Sequence, residues 1–557
     1  LFVETANSTH EIIDVIENTN NLTEDSFKCL IDKLNEKLTS MSDDERRTIW
    51  DALLREINNL SQHTRAKSSS LYHRTEELQK IANGIEPKND IEKFSRLFSS
   101  YDHELVRNQD WKVGQEEIKQ EREAALLNIL QLNDIDKLHK FIGLVKFPYM
   151  VGDALGCIED SSLDSKILPI FINDDKTSKE FVRAFIYRRY YYHNQNTAWV
   201  SEIGFNDWSD EQKTLFILSL PFKKDTWDLL DLQNKNITKE YWNNVDDFRP
   251  IHEEGYSKYA VDNLLKAKRP LASIECIYWS SFVEKDKKYS NKIDNDQCLR
   301  ALLESINASE DISNFGRLHH EISKILDYLH KNSDFTKTDL WKVEWAYLSL
   351  FSKRDTVQPL ALIYLIANDA DFFCQLVQTA YKSNKSGAEK PKKIPDQLQN
   401  NLLKILSFND FPIMPGVNQD GKFGKSKFKT WIKKIEERCN ASGHLEVAQS
   451  IVGGYLINAP KDQTGLWIDK TVAEILDRGN SAEMRSGYNT ATHNSRGIHS
   501  VDITGSEEAG LRDLWKKRAQ EIEAVGFFNF ATSLRDLADG FEYERKRVIK
   551  RGLSIDE

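Results

Sequence analysis

Glycine and proline are scarce, at 24 and 12 of 557 residues. That is about one residue in fifteen, where roughly one in eight is usual. A sandwich or barrel with many tight turns needs more of both, which argues against a mostly-β architecture. Cysteine is sparse and scattered: Cys29, Cys157, Cys276, Cys298, Cys374 and Cys439 include no C-x-x-C pair. The spacing gives no disulfide framework and predicts reduced, buried thiols in a cytoplasmic protein. No apolar run approaches the roughly 18–20 residues that span a bilayer, so no membrane is expected as a partner. The start, Leu1-Phe2-Val3-Glu4, has neither an initiator Met nor a charged segment before an apolar stretch. The expectation is a cut point inside a longer protein, not a signal peptide.

What is present is a helical chain. Hydrophobic residues make up 40% and charged residues 29%, enough apolar content for an extended core. The net charge of −11 argues against a protein whose main task is coating nucleic acid. Thr23 ahead of Glu24 and Asp25 reads as an N-cap for a helix with Phe27, Leu30, Ile31, Leu34 and Leu38 on one face. Ser42 and Glu45 form a capping-box pattern leading into Ile49, Leu53, Ile57 and Leu60. Further helices are predicted at 71–83, ended by Gly84 and Pro87, and at 115–132.

The middle of the chain reads as helix pairs. A segment closed by Pro221, another around Tyr241-Trp242, and the pair 259–265 and 271–279 split by Lys268-Arg269-Pro270 follow one another. The stretches 322–329, 341–351, 360–367 and 372–381 continue the theme. Paired helices that cannot bury their apolar faces alone are the unit of a solenoid. No strict period of 34 or 40 residues is present. The predicted fold is all-α, an irregular α-solenoid of stacked antiparallel helix pairs of tetratricopeptide or HEAT type. Residues 1–150 form an N-terminal helical segment and 151–381 the central helix pairs. A linker occupies 382–395, and 396–557 form a C-terminal helical segment with loops at 411–427 and 478–505. Ser506 is placed to cap a final helix carrying Leu511, Leu514, Trp515, Arg518 and Ile522; Gly526 separates it from a stripe of Phe530, Leu534, Leu537 and Phe541.

Few residues carry recognisable chemistry. Gly416-Val417-Asn418-Gln419-Asp420-Gly421-Lys422 matches the first seven positions of a phosphate-binding loop. Phe423 stands where Ser or Thr would hold magnesium, and Pro412 and Pro415 exclude the buried strand that such a loop extends. A surface loop is expected there, with no cofactor, metal or catalytic residue assigned. Lys422, Lys425, Lys427, Lys429, Lys433 and Lys434, interleaved with Phe423, Phe428 and Trp431, form a candidate polyanion site. The competing reading is a solvated basic face at a helix start, with Trp431 and Ile432 packed inward. Arg188-Arg189-Tyr190-Tyr191-Tyr192-His193 divides in the same way between a helix burying Val182, Phe185 and Ile186 and a polyanion contact. His319 and His320 are adjacent and point about 100° apart on a helix, so they cannot share an ion. His493, His499 and Asp502 do not complete a metal site by spacing. Arg496, His499 and Asp502 are candidates for a recognition loop; against that stands a fixed turn docking the last helix pair.

Several segments together resemble a known group of proteins. They are Asp43 to Trp50, Tyr149-Met150-Val151-Gly152-Asp153-Ala154-Leu155, Lys268-Arg269-Pro270-Leu271-Ala272, Val343-Glu344-Trp345-Ala346-Tyr347-Leu348, Asn458-Ala459-Pro460-Lys461-Asp462 and Asn494-Ser495-Arg496-Gly497. In this order they resemble the C-terminal helical region of very large bacterial anti-phage defence proteins, fused behind ATPase or sirtuin-like effector modules. The resemblance spans most of the chain and rests on packing motifs. It implies a non-catalytic sensor arm that binds a phage protein and relays the event to an upstream effector. Two other readings remain: a nucleic-acid-binding or nucleotide-hydrolysing region using 411–434, and an oligomerisation scaffold acting through the parent protein.

Overall fold

The computed structural model describes residues 8–63, 70–106, 110–130, 134–172, 175–193, 198–246, 248, 256–283, 294–308, 315–351, 357–385, 394–407, 411–497 and 504–553. They are helical throughout, apart from connecting loops and one isolated antiparallel bridge, Val417 to Phe423. The chain divides into two compact units, Leu1–Tyr256 and Ser257–Glu557. The division falls within the 151–381 run that the sequence groups together.

In the first unit, α1 (Glu24–Lys37) begins where the Thr23 side chain accepts from the Ser26 N–H. In α2 (Asp43–His63) the capping box is closed in both directions: Glu45 N–H donates to Ser42 Oγ, and Ser42 N–H to the Glu45 carboxylate. These two helices and α3 (Ser70–Gly84) enclose an apolar core that includes Leu30, Leu34, Ile49, Leu53 and Leu78. Beyond them lie α4 (Trp111–Ile129), α5 (Pro148–Gly156), α6 (Lys176–Tyr192) and α7 (Asp210–Ser219). Helix α5 packs on both α4 and α6, skipping the intervening helix Ser162–Phe171. The α5–α6 crossing is close because Gly152 has no side chain: a Cβ there would lie 2.1 Å from the Phe181 carbonyl oxygen.

One titratable group of this unit couples its fold to pH. The half-buried Asp51 on α2 has its carboxyl pushed up to about 6, chiefly by desolvation, while Arg96, Arg55 and Arg47 pull it down. The folded chain therefore holds this proton more tightly than the unfolded chain. This group's contribution makes the fold less stable as pH rises from about 4 to about 6. Asp51→Asn is expected to remove that component, on the order of 1–2 kcal/mol after allowance for partial exposure. Urea midpoints at pH 4 and pH 7 check it: the variant should gain relative to the parent only at the higher pH.

The second unit contains α8 (Pro270–Phe282), with proline at its first turn, and α9 (Leu340–Ala346). It continues with α10 (Leu360–Asn368), α11 (Ala370–Ala380), α12 (Lys425–Ser442) and α13 (Leu445–Tyr455). The predicted helix 341–351 divides into α9 and a short 3-10 turn, Leu348–Leu350. A correction falls at 478–505, read from sequence as a loop: α14 (Ala482–Asn494) occupies nearly half of it. Its apolar stripe is thin, and it packs on α13 through two glycines. A Cβ on Gly453 would sit 1.9 Å from the Met484 carbonyl oxygen, and one on Gly487 1.9 Å from that of Ser450. The pair α15 (Ser506–Ala524) and α16 (Phe528–Leu553) turns at Gly526, whose φ of +91° suits glycine. Among the described residues no single helix is long and apolar enough to cross a membrane; α10 and α11 pass the test only as a pair bent by 100°.

All six cysteines are free thiols, four buried and two, Cys29 and Cys157, half-buried. Cys374 and Cys439 touch inside the second unit, with their sulfurs 3.4 Å apart.

Candidate protein-binding groove

The sequence-derived sites are largely built into the packing. In α12, Phe428, Trp431, Ile432, Ile435 and Cys439 face inward, and Trp431 Nε1–H donates to the Ile366 carbonyl at 3.2 Å. Trp431 thus offers no face for a base. Most of the lysines beside it meet carboxylates: Lys425 with Asp462 and Asp469, Lys429 with Glu474, Lys433 with Glu437, and Lys434 with Asp371. Among the described residues Lys422 and Lys427 form no ion pair. The 416–424 loop uses its own amides. Gly416 N–H donates to the Ala367 carbonyl, Asn418 N–H to Lys422, Gly421 N–H to Asn418 and Gly424 N–H to Gly416. A phosphate cradle needs such N–H groups free to converge on an anion.

Arg496 is partly buried against α15 and α16, where it pairs with Glu508 at 3.0 Å and with Glu544 at 3.4 Å, over the Phe541 ring. His493 joins the same cluster, 2.9 Å from Glu544. These pairs tie the end of α14 to the last helix pair. His499 and Asp502 lie outside the described residues. The Arg188–His193 run is divided between core and surface. Arg189 and Tyr190 are buried, Tyr190 donating to Asp225, while Arg188 faces the groove described next. Glu344, in one of the resemblance segments, is fully buried. It accepts the Ala361 and Leu362 N–H groups at the start of α10 and lies 2.6 Å from His330 Nε2. Burial pushes its carboxyl up, against the pull of those hydrogen bonds.

A feature that sequence reasoning missed lies in the first unit. A groove of about 1240 Å³ runs over α5, with α4 on one side and α6 and the 218–222 turn on the other. Asp110 starts α4 by accepting the Lys112 and Val113 N–H groups, which leaves Trp111 at the groove's end, half exposed. Pro148 opens α5, so that Tyr149, Met150, Asp153, Ala154 and Cys157 follow at helical spacing along the floor. On α6, Phe181, Val182, Phe185 and Ile186 point into the core, which turns Arg183, Ala184, Tyr187 and Arg188 to the groove.

Its surface combines open aromatic rings with closed ion pairs. Tyr101, Trp111, Tyr149 and Tyr187 are each more than 40% exposed. Tyr101, Phe147 and Tyr149 form one aromatic edge, with ring centroids 4.9 and 5.9 Å apart. Tyr187 and Tyr191 form another, with hydroxyls 3.2 Å apart. Arg188 pairs with Asp153 across the α5–α6 crossing; Arg183 with Asp246 at 2.8 Å; Arg122 with Asp102 at 2.9 Å. Arg122 also donates to the Leu97 carbonyl and to the Met150 sulfur. Burial pushes the Cys157 thiol up despite Arg188 nearby, so it stays protonated at neutral pH and acts as a small, weakly polar surface. The signal available in sequence was an aromatic residue on the polar side of each helical stripe, namely Trp111, Tyr149 and Tyr187. No known protein family, curated protein or solved structure matches the chain.

Proposed function

We propose that this chain is a non-catalytic helical binding module that recognises another protein through the groove over α5. The single observation that carries this reading is the groove's lining: tyrosine, tryptophan, methionine and arginine gathered on one concave surface. These residue types concentrate binding energy at protein interfaces, because each contributes a large contact area with one polar handle. The groove also exceeds the roughly 300–1,000 Å³ typical of small-ligand sites. The resemblance noted in the sequence supplies the setting. The partner is then a phage protein and the chain the sensor region of a larger bacterial defence protein, which relays binding to an effector module. The lysine segment of α12 supports the nucleic-acid alternative less well, since its stacking aromatic is buried and most of its cations are paired.

Panning a display library of random peptides about 16 residues long on the full chain tests the groove. Selected peptides are expected to lose affinity about tenfold or more on Trp111→Ala or Tyr187→Ala. They should be indifferent to Lys422→Ala and Lys427→Ala. Peptides that ignore both groove substitutions would remove this reading. Tight binding of a single-stranded DNA oligomer that is lost in the two lysine variants would install the alternative.

A further inference from the structure

Resting on the binding-module reading, we infer that the groove over α5 receives an amphipathic helix of about three turns from the partner protein, seated by an uncharged apolar stripe. The dimensions come first. The α4 wall contributes residues 111 to 122 and the α6 wall 180 to 188. At 1.5 Å rise per residue these are about 16 Å and about 12 Å long, or two to three helical turns. The floor between them holds Met150, Ala154 and Cys157, which are small or pliable and carry no charge, beside Asp153, whose carboxylate is paired with Arg188.

The backbone of the occupant decides between a helix and an extended strand. The floor and most of both walls are helices whose own N–H and C=O groups are bonded internally, and among the described residues no sheet edge is present for a strand to join. An extended segment lying on this floor would leave its peptide groups without partners, whereas a helix satisfies its own. Charge sets the character of the stripe. The lining carries acidic and basic side chains in equal number, and three of its arginines are closed onto Asp102, Asp153 and Asp246. Such a surface does not select a strongly acidic or basic face. It suits aliphatic and methionine side chains on the floor with aromatic rims on either side.

Two display libraries panned side by side on the full chain test this. In one, apolar residues recur at i, i+3, i+4 and i+7 on a background of Ala, Glu, Lys and Gln; the other is unpatterned. Enrichment from the patterned library is expected, with a central proline in the selected peptides weakening binding about tenfold or more. Filling the floor with Ala154→Trp, in a variant whose circular dichroism matches the parent, should have an effect of the same size, as should the surface change Tyr187→Ala. Affinity should change less than about threefold between low and high salt. Enrichment of only proline-rich, strongly charged or unpatterned sequences at the groove would overturn the helix and leave the binding module standing. Selected peptides insensitive to both Ala154→Trp and Tyr187→Ala would take away the groove itself.

Discussion

Arg189→Leu is expected to destabilise the first unit by about 3–5 kcal/mol. The Arg189 guanidinium has no exposed surface, and each of its nitrogens is held. Nε and Nη2 meet the two Asp164 oxygens at 2.5 and 3.2 Å, Nη1 donates to the Ile158 carbonyl at 2.9 Å, and Nη2 also donates to the Asp160 backbone carbonyl at 3.1 Å. The Tyr192 ring covers one face of the guanidinium at 4.0 Å. Removing this cation strands Asp164, itself buried, with His193 at 2.8 Å as its remaining ionisable partner. The size of the effect lies in that stranded carboxylate rather than in the net worth of the pair. The double variant Arg189→Leu with Asp164→Leu should therefore recover much of the loss. Urea denaturation of the two single variants and the double variant makes the cycle. A loss below about 1 kcal/mol in Arg189→Leu would show that water reaches Asp164. The consequence extends to function, because Arg189 fixes α6 from the core side while its neighbours Tyr187 and Arg188 form the groove wall.

How far the fold could be read in advance depended on how each helix buries itself. In α12, Phe428, Trp431, Ile432, Ile435 and Cys439 follow the 3.6-residue period and are buried, Trp431 and Ile432 among them as one of the two readings of the sequence had them. In α14 the sequence from Ala482 to Asn494 is mostly small and polar, and apolar periodicity marks only Met484, Tyr488 and Ala491. What buries it is contact between backbones at Gly453 and Gly487, and a pattern based on side-chain hydrophobicity cannot register that. Glycines inside helices were legible only as weak points. Three residues of the resemblance segments serve the packing: Gly152 in a close crossing, Glu344 as a helix cap, Arg496 as a cation held against α15 and α16. The groove stayed hidden for another reason. Trp111, Tyr149 and Tyr187 each sit on a different helix, and nothing along the chain records that α5 lies between α4 and α6. By contrast, the basic run at 422–434 was conspicuous because its lysines cluster within 13 residues of sequence. Their carboxylate partners Asp371, Asp462, Asp469 and Glu474 come from other elements, so the pairing was invisible.

Gly152→Ala should disturb both the stability of the first unit and its groove. The added methyl would meet the Phe181 carbonyl oxygen at 2.1 Å and the Phe181 carbon and Phe185 nitrogen at 3.0 Å. All three are backbone atoms of α6, which no rotamer change can move aside. The helices must separate, loosening Val151 and Leu155 from Phe181, Val182 and Phe185, all of them buried. The expected destabilisation is about 3 kcal/mol, the upper end for an overpacked core, because the obstacle is rigid. Helix propensity runs the other way and favours alanine by about 1 kcal/mol. Gly510→Ala isolates that term: it lies within α15 with no atom within 4 Å of the added Cβ, and should be neutral or stabilising. Hydrogen exchange resolved by peptide is the suitable measurement, since it reads 148–156 and 176–192 separately from the rest of the chain. Protection should fall in both segments of the Gly152 variant. Separation of α5 from α6 also stretches the Arg188–Asp153 pair that spans the crossing. Peptides selected on the parent should then bind Gly152→Ala more weakly, even under conditions where it remains folded. Unchanged exchange in both segments would mean that α5 and α6 yield without loss, and that the close crossing does not fix the floor of the groove against its wall.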